Sequence, residues 1–223
     1  NSWNTGYLVK IDANGDSLWT KVFNSVGDNS IECVRQTLDS GYVVTGYLRN
    51  PNGRYDIMVI KTDQWGNVQW SKVIVDSLSH HGMSIVETND HGFLATGGYY
   101  STSGPEGVFA LRLDASGNMV FFKQYSNNAM ASDIISTSDG NYMIAGFSIY
   151  EIMLVKIDST GNVLWSKFYS NSMTTEDLLN VVECADHGFA LFHGGFKPAE
   201  FYEDINLLKT DSNGNVLWSK RYN

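Results

Sequence analysis

Short apolar runs separated by polar, glycine-containing turns follow one another along the whole chain. An apolar run, an Asp-x-x-Gly-(Asn/Asp) turn and a second run with an aromatic residue near its end return five times. The glycine supplies a positive φ, and the Asp and Asn side chains can bond the backbone of the turn. Two apolar runs joined in this way predict a β-hairpin. The turns begin at Asp12, Asp63, Asp114, Asp158 and Asp211, and the aromatic residues are Trp19, Trp70, Phe121, Trp165 and Trp218.

A second hairpin pattern occurs four times between these segments, so that each complete unit has four predicted strands. Its turns begin at Asp39, Asp90, Asp139 and Asp186. The stretch from Thr174 to Val182 resembles a capping box that leads into a helix. The repeat alignment instead places Val181 with Val34, Ile85 and Ile134 on a first strand, and we therefore predict a strand there.

The third strands predict how the units pack. Segments such as Ile57–Ile60 and Ile152–Val155 are apolar on both faces, whereas an antiparallel sheet with one wet face would alternate. Sheets stacked around an axis bury both faces and leave only short protected edges. We therefore predict an all-β β-propeller of four-stranded antiparallel blades, with four complete blades and a half blade. A β-solenoid is the alternative, but its coils are usually shorter and lack two hairpin turns each.

The predicted propeller is a single domain over residues 1–223. The half blade covers 1–24 and supplies only a third and a fourth strand, and the complete blades cover about 30–75, 82–125, 130–169 and 177–222. The prediction is thus a five-bladed ring or a fragment of a larger one. The five repeated aromatic residues are expected to occupy one equivalent buried position between blades.

Composition narrows the classes of function. The formal charge of −9 and the pI of about 4.9 disfavour nucleic acid, whose phosphates would be repelled. No apolar run approaches the roughly 18 residues of a membrane span, so none is predicted. Cys33 and Cys184 lie at non-equivalent repeat positions, and we expect two small buried residues without a disulfide.

The repeat units resemble those of a propeller family. Asp39-Ser-Gly-Tyr-Val-Val-Thr-Gly and Asp211-Ser-Asn-Gly-Asn-Val-Leu-Trp-Ser-Lys resemble propeller repeats of large secreted or surface proteins of bacteria and archaea. Those repeats commonly read Ser-Asp-Gly-Gly-Tyr…Ala-Gly and then Leu-Val-Lys-x-Asp-x-x-Gly-Asn…Trp-x-Lys. The resemblance implies an exported or cell-surface location more than an activity. Asp158-x-x-Gly161-x-x-x-Trp165 is weakly similar to the repeat of pyrroloquinoline-quinone propellers, with one residue fewer between Asp and Gly.

The chain offers little that predicts a metal or a cofactor. An EF-hand-type calcium loop needs Glu at position 12 and Gly at position 6, and neither is present in the five Asp-x-x-Gly turns. His91 and His187 occupy equivalent turns, and the pair His80-His81 has no Cys or carboxylate at ligand spacing. We expect no metal and no cofactor. Nucleophile elbows, metalloprotease helices and P-loops are also absent, which disfavours an enzyme.

Ten of the fifteen basic residues recur at two repeat positions, where they are expected to pack on the aromatic residue or to pair with a turn Asp. Of the remaining basic residues, Arg35, Arg49 and Arg54 belong to one blade, whereas a sialidase-type site needs three arginines from different blades.

One face of the propeller is predicted to carry the binding site. The Asp-Gly turns repeat in every blade, whereas the loops at the other ends of the strands differ in length and content, and a specific site can be built there. The candidate ligand-binding residues on this variable-loop face are Arg49, Arg54, Tyr55, Tyr99, Tyr100, Phe201 and Tyr202. Exposed aromatic residues beside carboxylates suit a carbohydrate or a protein partner.

The expected function is a non-enzymatic extracellular or cell-surface binding or scaffold module of a larger protein. The alternative is a carbohydrate-active hydrolase or lyase that uses the same face, which would require a catalytic carboxylate pair or a metal there.

Overall fold

The computed structural model describes residues 5–23, 28–101, 104–126, 128–148, 151–170, 174–197 and 202–222. The described residues form one two-stranded and four four-stranded sheets, all antiparallel. These sheets are the blades of the predicted β-propeller, and they confirm the all-β fold. We number the blades 1 to 5 along the chain, blade 1 being the two-stranded sheet.

The strands have the following bounds. Blade 1 contains β1 (Gly6–Ile11) and β2 (Ser17–Phe23); blade 2 contains β3 (Asn29–Gln36), β4 (Tyr42–Arg49), β5 (Tyr55–Thr62) and β6 (Val68–Ile74). Blade 3 contains β7 (Ser79–Glu87), β8 (Phe93–Ser101), β9 (Gly104–Leu113) and β10 (Met119–Ser126). Blade 4 contains β11 (Met130–Ser136), β12 (Tyr142–Phe147), β13 (Glu151–Ile157) and β14 (Val163–Ser170). Blade 5 contains β15 (Thr174–Glu183), β16 (Phe189–Lys197), β17 (Tyr202–Thr210) and β18 (Val216–Tyr222).

The segment that begins at Thr174 is a strand, as the repeat alignment predicts. Within each four-stranded blade the strands are hydrogen-bonded in chain order. The first strands β3, β7, β11 and β15 contact one another from blade to blade, and they therefore surround the axis. The described residues contain no helix with the length and hydrophobicity of a membrane-spanning segment.

The hydrophobic core lies between blades and not within one central mass. One cluster joins Val43, Ile57 and Val59 of blade 2 to Phe93 and Leu111 of blade 3. Equivalent clusters join blades 1 and 2, 3 and 4, and 4 and 5. Burial of both sheet faces explains why the third strands do not alternate between apolar and polar residues.

One side-chain contact repeats between neighbouring blades, and we call it the interblade contact. The aromatic residue of the fourth strand packs against the glycine of the next blade's Asp-x-x-Gly turn. A Cβ added to Gly66 would lie 3.0 Å from Cζ3 of Trp19, and the φ of Gly66 is +77°. Both the lack of space and the backbone conformation therefore require glycine at this position. The other pairs of this kind are Trp70 with Gly117, Phe121 with Gly161, and Trp165 with Gly214.

These four aromatic rings are partly buried, so each occupies the predicted equivalent position between blades. Trp218 departs from the expectation, because it is 43% exposed and no following blade covers it in the described structure.

In each four-stranded blade the basic residue of the third strand pairs with a turn Asp of its own blade. Lys61 Nζ lies 2.8 Å from Asp39 Oδ2, and Lys209 Nζ lies 2.9 Å from Asp186 Oδ1. Arg112 pairs with Asp90 and Lys156 with Asp139 in the same way. Burial alone would raise the pKa of Asp39, but the hydrogen bonds from Lys61 and Thr37 lower it to about 2. This pairing is one of the two structural roles predicted for the repeated cations.

A buried carboxylate near the axis joins the inner strands of four blades. Asp133 on β11 accepts a hydrogen bond from Ser84 Oγ of blade 3 at 2.9 Å and from the backbone N–H of Val181 of blade 5 at 3.1 Å. Arg35 Nη2 of blade 2 lies 3.7 Å from the same carboxylate. Asp133 directly follows the bulge in the first strand of blade 4. The equivalent residues are Cys33 in blade 2 and Ser84 in blade 3, so the carboxylate is specific to blade 4 among these three blades. Cys33 and Cys184 are free; Cys33 is buried and Cys184 is half-buried.

Candidate functional site

The loop between β4 and β5 on the variable-loop face is held by the side chain of Asn50. Its Oδ1 accepts the backbone N–H groups of Asn52 at 3.0 Å and Arg54 at 3.1 Å. Its Nδ2 donates to both carboxylate oxygens of Asp56, at 3.2 and 3.1 Å. This network fixes the start of β5 and so the position of Tyr55.

Four rings from two blades meet next to this loop. The imidazole of His81 stacks on Tyr47, with ring centroids 4.3 Å apart, and meets the edge of Tyr55 at 4.8 Å. Tyr100 also contacts His81, with ring centroids 5.0 Å apart, and Tyr47 and Tyr55 contact each other at 5.1 Å. We call Tyr47, Tyr55, His81 and Tyr100 the aromatic cluster. Packed rings of this kind lose little side-chain entropy when a ligand binds.

A cleft of about 320 Å³ opens beside the aromatic cluster, between blades 1 and 2. Its size is within the range of small-ligand sites. Its polar base is rigid because the buried Asn29 accepts the N–H of Gly6 through Oδ1 at 2.5 Å and lies 3.4 Å through Nδ2 from the carbonyl of Phe23. The lining residues are Thr5, Gly6, Tyr7, Asp28, Asn29, Ser30, Ile31, Tyr47 and Tyr55.

The electrostatics of the cleft favour neutral or cationic ligands. Asp28 lines the cleft, and its carboxylate lies 3.9 Å from Nη1 of Arg49. The positive charge of this arginine is therefore offset by a carboxylate. Burial, followed by the charge of Glu32, raises the pKa of Tyr47. The phenol therefore stays protonated and can donate a hydrogen bond at neutral pH.

His80 points to the other side of β7 and is a core residue. It is 1% exposed, and its ring contacts Phe109 and Phe122 at 5.8 and 5.4 Å between centroids. Its Nε2 lies 3.0 Å from Gln124 Nε2 and 3.7 Å from Asp76 Oδ2. Burial lowers the pKa of His80 and also of His81, although Asp76 and Glu32 respectively oppose the shift.

The lowered pKa values of these two histidines predict that the protein loses stability in mild acid. Because their folded-state pKa values lie below the ordinary value of about 6.5, the unfolded chain binds protons first as the pH falls. The melting temperature should therefore fall as the pH is lowered from 8 to about 5.5, a window above the titration of ordinary carboxylates. His80→Gln should flatten this slope. Gln124→Leu, which keeps the imidazole, is the control and should shift the curve without flattening it. An unchanged slope in His80→Gln would contradict the assignment.

The structure brings together only part of the predicted ligand-binding set. Tyr55 and Tyr100 meet in the aromatic cluster, and Arg49 reaches Asp28 at the cleft. Arg54 is exposed on the neighbouring loop. Tyr99 is 6% exposed and belongs to the core between blades 2 and 3, so it presents no ring to a ligand. Phe201 lies outside the described residues, and of Tyr202 only the backbone, paired with Lys197, is described.

The ligand-binding residues predicted from the sequence did not include Asn29, Tyr47 or His81. At this face β8 runs to Ser101 and β9 starts at Gly104. The positions of Tyr47 and His81 in the repeat could have indicated the site. Tyr47 directly follows the repeated glycine of the second strand, and His80 and His81 lie near the start of the next blade, at the same end of the strands.

On the opposite, turn-bearing face, the polar side chains form hydrogen bonds with other groups of the protein. In each of four Asp-x-x-Gly-Asn turns the aspartate Oδ1 accepts two backbone N–H groups and Oδ2 accepts the Asn amide, as at Asp63 with distances of 2.9, 2.8 and 2.9 Å. Glu183 likewise accepts the N–H and the hydroxyl of Ser138 from blade 4, at 2.7 and 2.6 Å. In the described parts of the chain no group of three or more His, Cys, Asp or Glu residues is arranged to hold a metal ion.

Solved structures similar to this chain include the following two. A crystal structure of a protein of unknown function from Bacteroides caccae matches 99% of this chain and 90% of its own chain, with 12% identity and a TM-score of 0.58. A structure of a eukaryotic initiation factor matches all of this chain and 62% of its own, with 10% identity and a TM-score of 0.45. No family model matches the chain. No curated protein matches it either. At 12% identity the likeness to the Bacteroides caccae protein is one of fold.

Proposed function

We propose that this chain is a non-enzymatic binding or scaffold module that holds a carbohydrate or a protein partner on its variable-loop face. The observation that carries the proposal is the cleft beside the aromatic cluster. It combines the rings of Tyr47 and Tyr55 with the carboxylate of Asp28 and the fixed amide of Asn29. Tyrosine rings next to hydrogen-bonding groups suit a sugar ring or a peptide segment, since both present an apolar face and polar edges.

The resemblance of the repeats to those of secreted and surface proteins supports an extracellular or cell-surface location within a larger protein. The acidic composition supports partners other than nucleic acid.

A hydrolase or lyase on this face would need two carboxylates directed at the ligand. Of the described carboxylates near the cleft, Asp28 faces Arg49 and Asp56 accepts both bonds from Asn50. Glu32, whose charge acts on Tyr47, is exposed and is not among the residues that line the cleft. The described residues thus give no observation that favours the enzymatic alternative over binding.

Glycan arrays and pull-downs with the wild type and a Tyr55→Ala variant test the proposal. Removal of a ring that lines the cleft should weaken binding at least about tenfold while the melting temperature changes little, because Tyr55 is only partly buried. Trp65→Ala is the matched control, since Trp65 is an exposed aromatic residue on the turn-bearing face. Binding that survives Tyr55→Ala and disappears in Trp65→Ala would place the site on the opposite face.

A further inference from the structure

Blade 5 departs from the other complete blades at one pair of facing residues. In blades 2, 3 and 4 a glycine of the second strand faces a large apolar residue of the third strand. These pairs are Gly46 with Met58, Gly97 with Phe109, and Gly146 with Met153. In blade 5 the second strand has His193 and the third strand has Asn206 at these places. Two polar side chains therefore replace a glycine and a core residue.

The backbone of blade 5 differs at the same place. A Cβ on the glycine of blade 2, 3 or 4 would collide with a carbonyl oxygen of the first strand, namely that of Ser30, His81 or Met130. In those blades the bulge in the first strand leaves one residue out of the pairing. In blade 5 the regular pairing of β15 with β16 stops at Gly194 and resumes at Phe192, so that His193 lies within the irregular segment. The histidine is thus accompanied by a local change of the sheet.

A cavity of about 510 Å³, here called the interblade cavity, lies beside this pair between blades 4 and 5. The equivalent apolar residues of blades 2 to 4 are at most 4% exposed and fill the cores between blades. Asn206 has a shorter side chain and fills less of the corresponding space. The side chains used below are Ile152 and Tyr169 on blade 4, and His193, Asn206, Ser219 and Arg221 on blade 5. Both blades are complete four-stranded sheets.

His193 is a buried polar group that faces this cavity with an unsatisfied nitrogen. It is 7% exposed, and its Nδ1 donates to the carbonyl oxygen of Gly194 at 3.2 Å. Burial lowers the pKa of His193, so the ring is neutral at neutral pH and Nε2 is a hydrogen-bond acceptor. Among the residues that the structure describes, no group bonds to Nε2. Buried polar atoms are nearly always hydrogen-bonded, so Nε2 requires a donor from outside the fold.

The remaining lining groups indicate what kind of molecule carries that donor. The amide of Asn206 and the hydroxyl of Ser219 can each donate and accept, and the guanidinium of Arg221 adds donors. Opposite them, Ile152 and the ring of Tyr169 form an apolar wall, and the Tyr169 hydroxyl is held by the carbonyl of Gly214 at 2.7 Å. An apolar wall with a few placed polar groups, in a cavity of this size, is typical of small-molecule sites.

We propose that the interblade cavity binds a hydroxylated small molecule of the size of one pyranose sugar. One hydroxyl would donate to His193 Nε2, and the others would bond to Asn206 and Ser219. The apolar face of the sugar ring would lie against Tyr169 and Ile152. This site lies between blades 4 and 5, and it does not depend on the cleft between blades 1 and 2.

NMR of the histidine side chains tests the proposal in the whole chain. The Cε1–H signal of His193 is assigned by its loss in His193→Leu, and the chain is titrated with methyl glucoside, methyl galactoside, methyl mannoside and N-acetylglucosamine. At least one of these sugars should shift the His193 signal saturably. The signals of His91 and His187, which are exposed on the turn-bearing face, should not move.

Two variants take their side chains from other blades and fill the cavity. Asn206→Met introduces the residue of blades 2 and 4, and Ser219→Phe introduces Phe122 of blade 3. Each should weaken sugar binding at least about tenfold without lowering the melting temperature, because each replaces a polar group by one that packs at the same place elsewhere in the fold. Ser219 is exposed, so its replacement leaves the fold intact even if Asn206→Met does not.

Tyr55→Ala separates this site from the cleft, and it should leave the response of His193 unchanged. A His193 signal that none of the four sugars shifts, a shift that survives Ser219→Phe, or a shift that disappears in Tyr55→Ala would each overturn the proposal. None of these outcomes bears on the array test of the cleft, since Tyr55 does not line the interblade cavity.

Discussion

Replacement of Asp133 by alanine is expected to lower the free energy of unfolding by about 3 kcal/mol, because it leaves buried donors from two other blades without an acceptor. The donors are the hydroxyl of Ser84 and the backbone N–H of Val181, and both are fixed by their own strands. Asp133→Asn should cost less, since its amide oxygen can still accept one of these bonds. Its amide nitrogen cannot accept the other.

Urea denaturation measures both variants. Arg35→Met is the control: Arg35 is about half exposed, so its loss should cost no more than about 1 kcal/mol. A loss below about 1 kcal/mol for Asp133→Ala would show that the carboxylate does not join the inner strands as described.

Truncation of Trp165 to alanine should cost about 3 kcal/mol, whereas the same change at Trp218 should cost less than about 0.5 kcal/mol. The two residues occupy the same repeat position and follow the same local sequence. They differ in that Trp165 packs against Phe189, with ring centroids 6.3 Å apart, and against Gly214 of the next blade. Trp218 has no such neighbour in the described structure and is 43% exposed.

Thermal and urea unfolding at a concentration where the chain is monomeric compare the two variants directly. Equal losses of unfolding free energy in the Trp165 and Trp218 variants would contradict the conclusion that contacts between blades stabilise the fold.

The repeated features of the fold could be predicted from the sequence because they are local. The turn glycines adopt φ values between +75° and +90° where the Asp-x-x-Gly pattern recurs, and the hairpins follow from them. The strand at Thr174 shows that four aligned copies outweigh one local helix signal. The pairing of Lys61 with Asp39 was one of two roles expected for a cation present in every blade.

The candidate site depends on long-range geometry and was only partly predictable. Tyr99 and Tyr100 are adjacent in the sequence, but the two-residue period of β8 directs them to opposite faces, so that one joins the core and the other the aromatic cluster. His81 and Tyr47 belong to different blades and meet only when the blades pack. Asp133 carries no repeat signal, because the equivalent residues in blades 2 and 3 are Cys33 and Ser84.

The most direct test of the central claim is a crystal structure of the chain with a glycan or partner peptide found by the array or the pull-down. The proposed function predicts that the ligand lies in the cleft between blades 1 and 2, in contact with Tyr47 and Tyr55, with a hydrogen bond to Asp28 or Asn29. A ligand bound only to the repeated Asp-Gly turns, with the cleft empty, would contradict it.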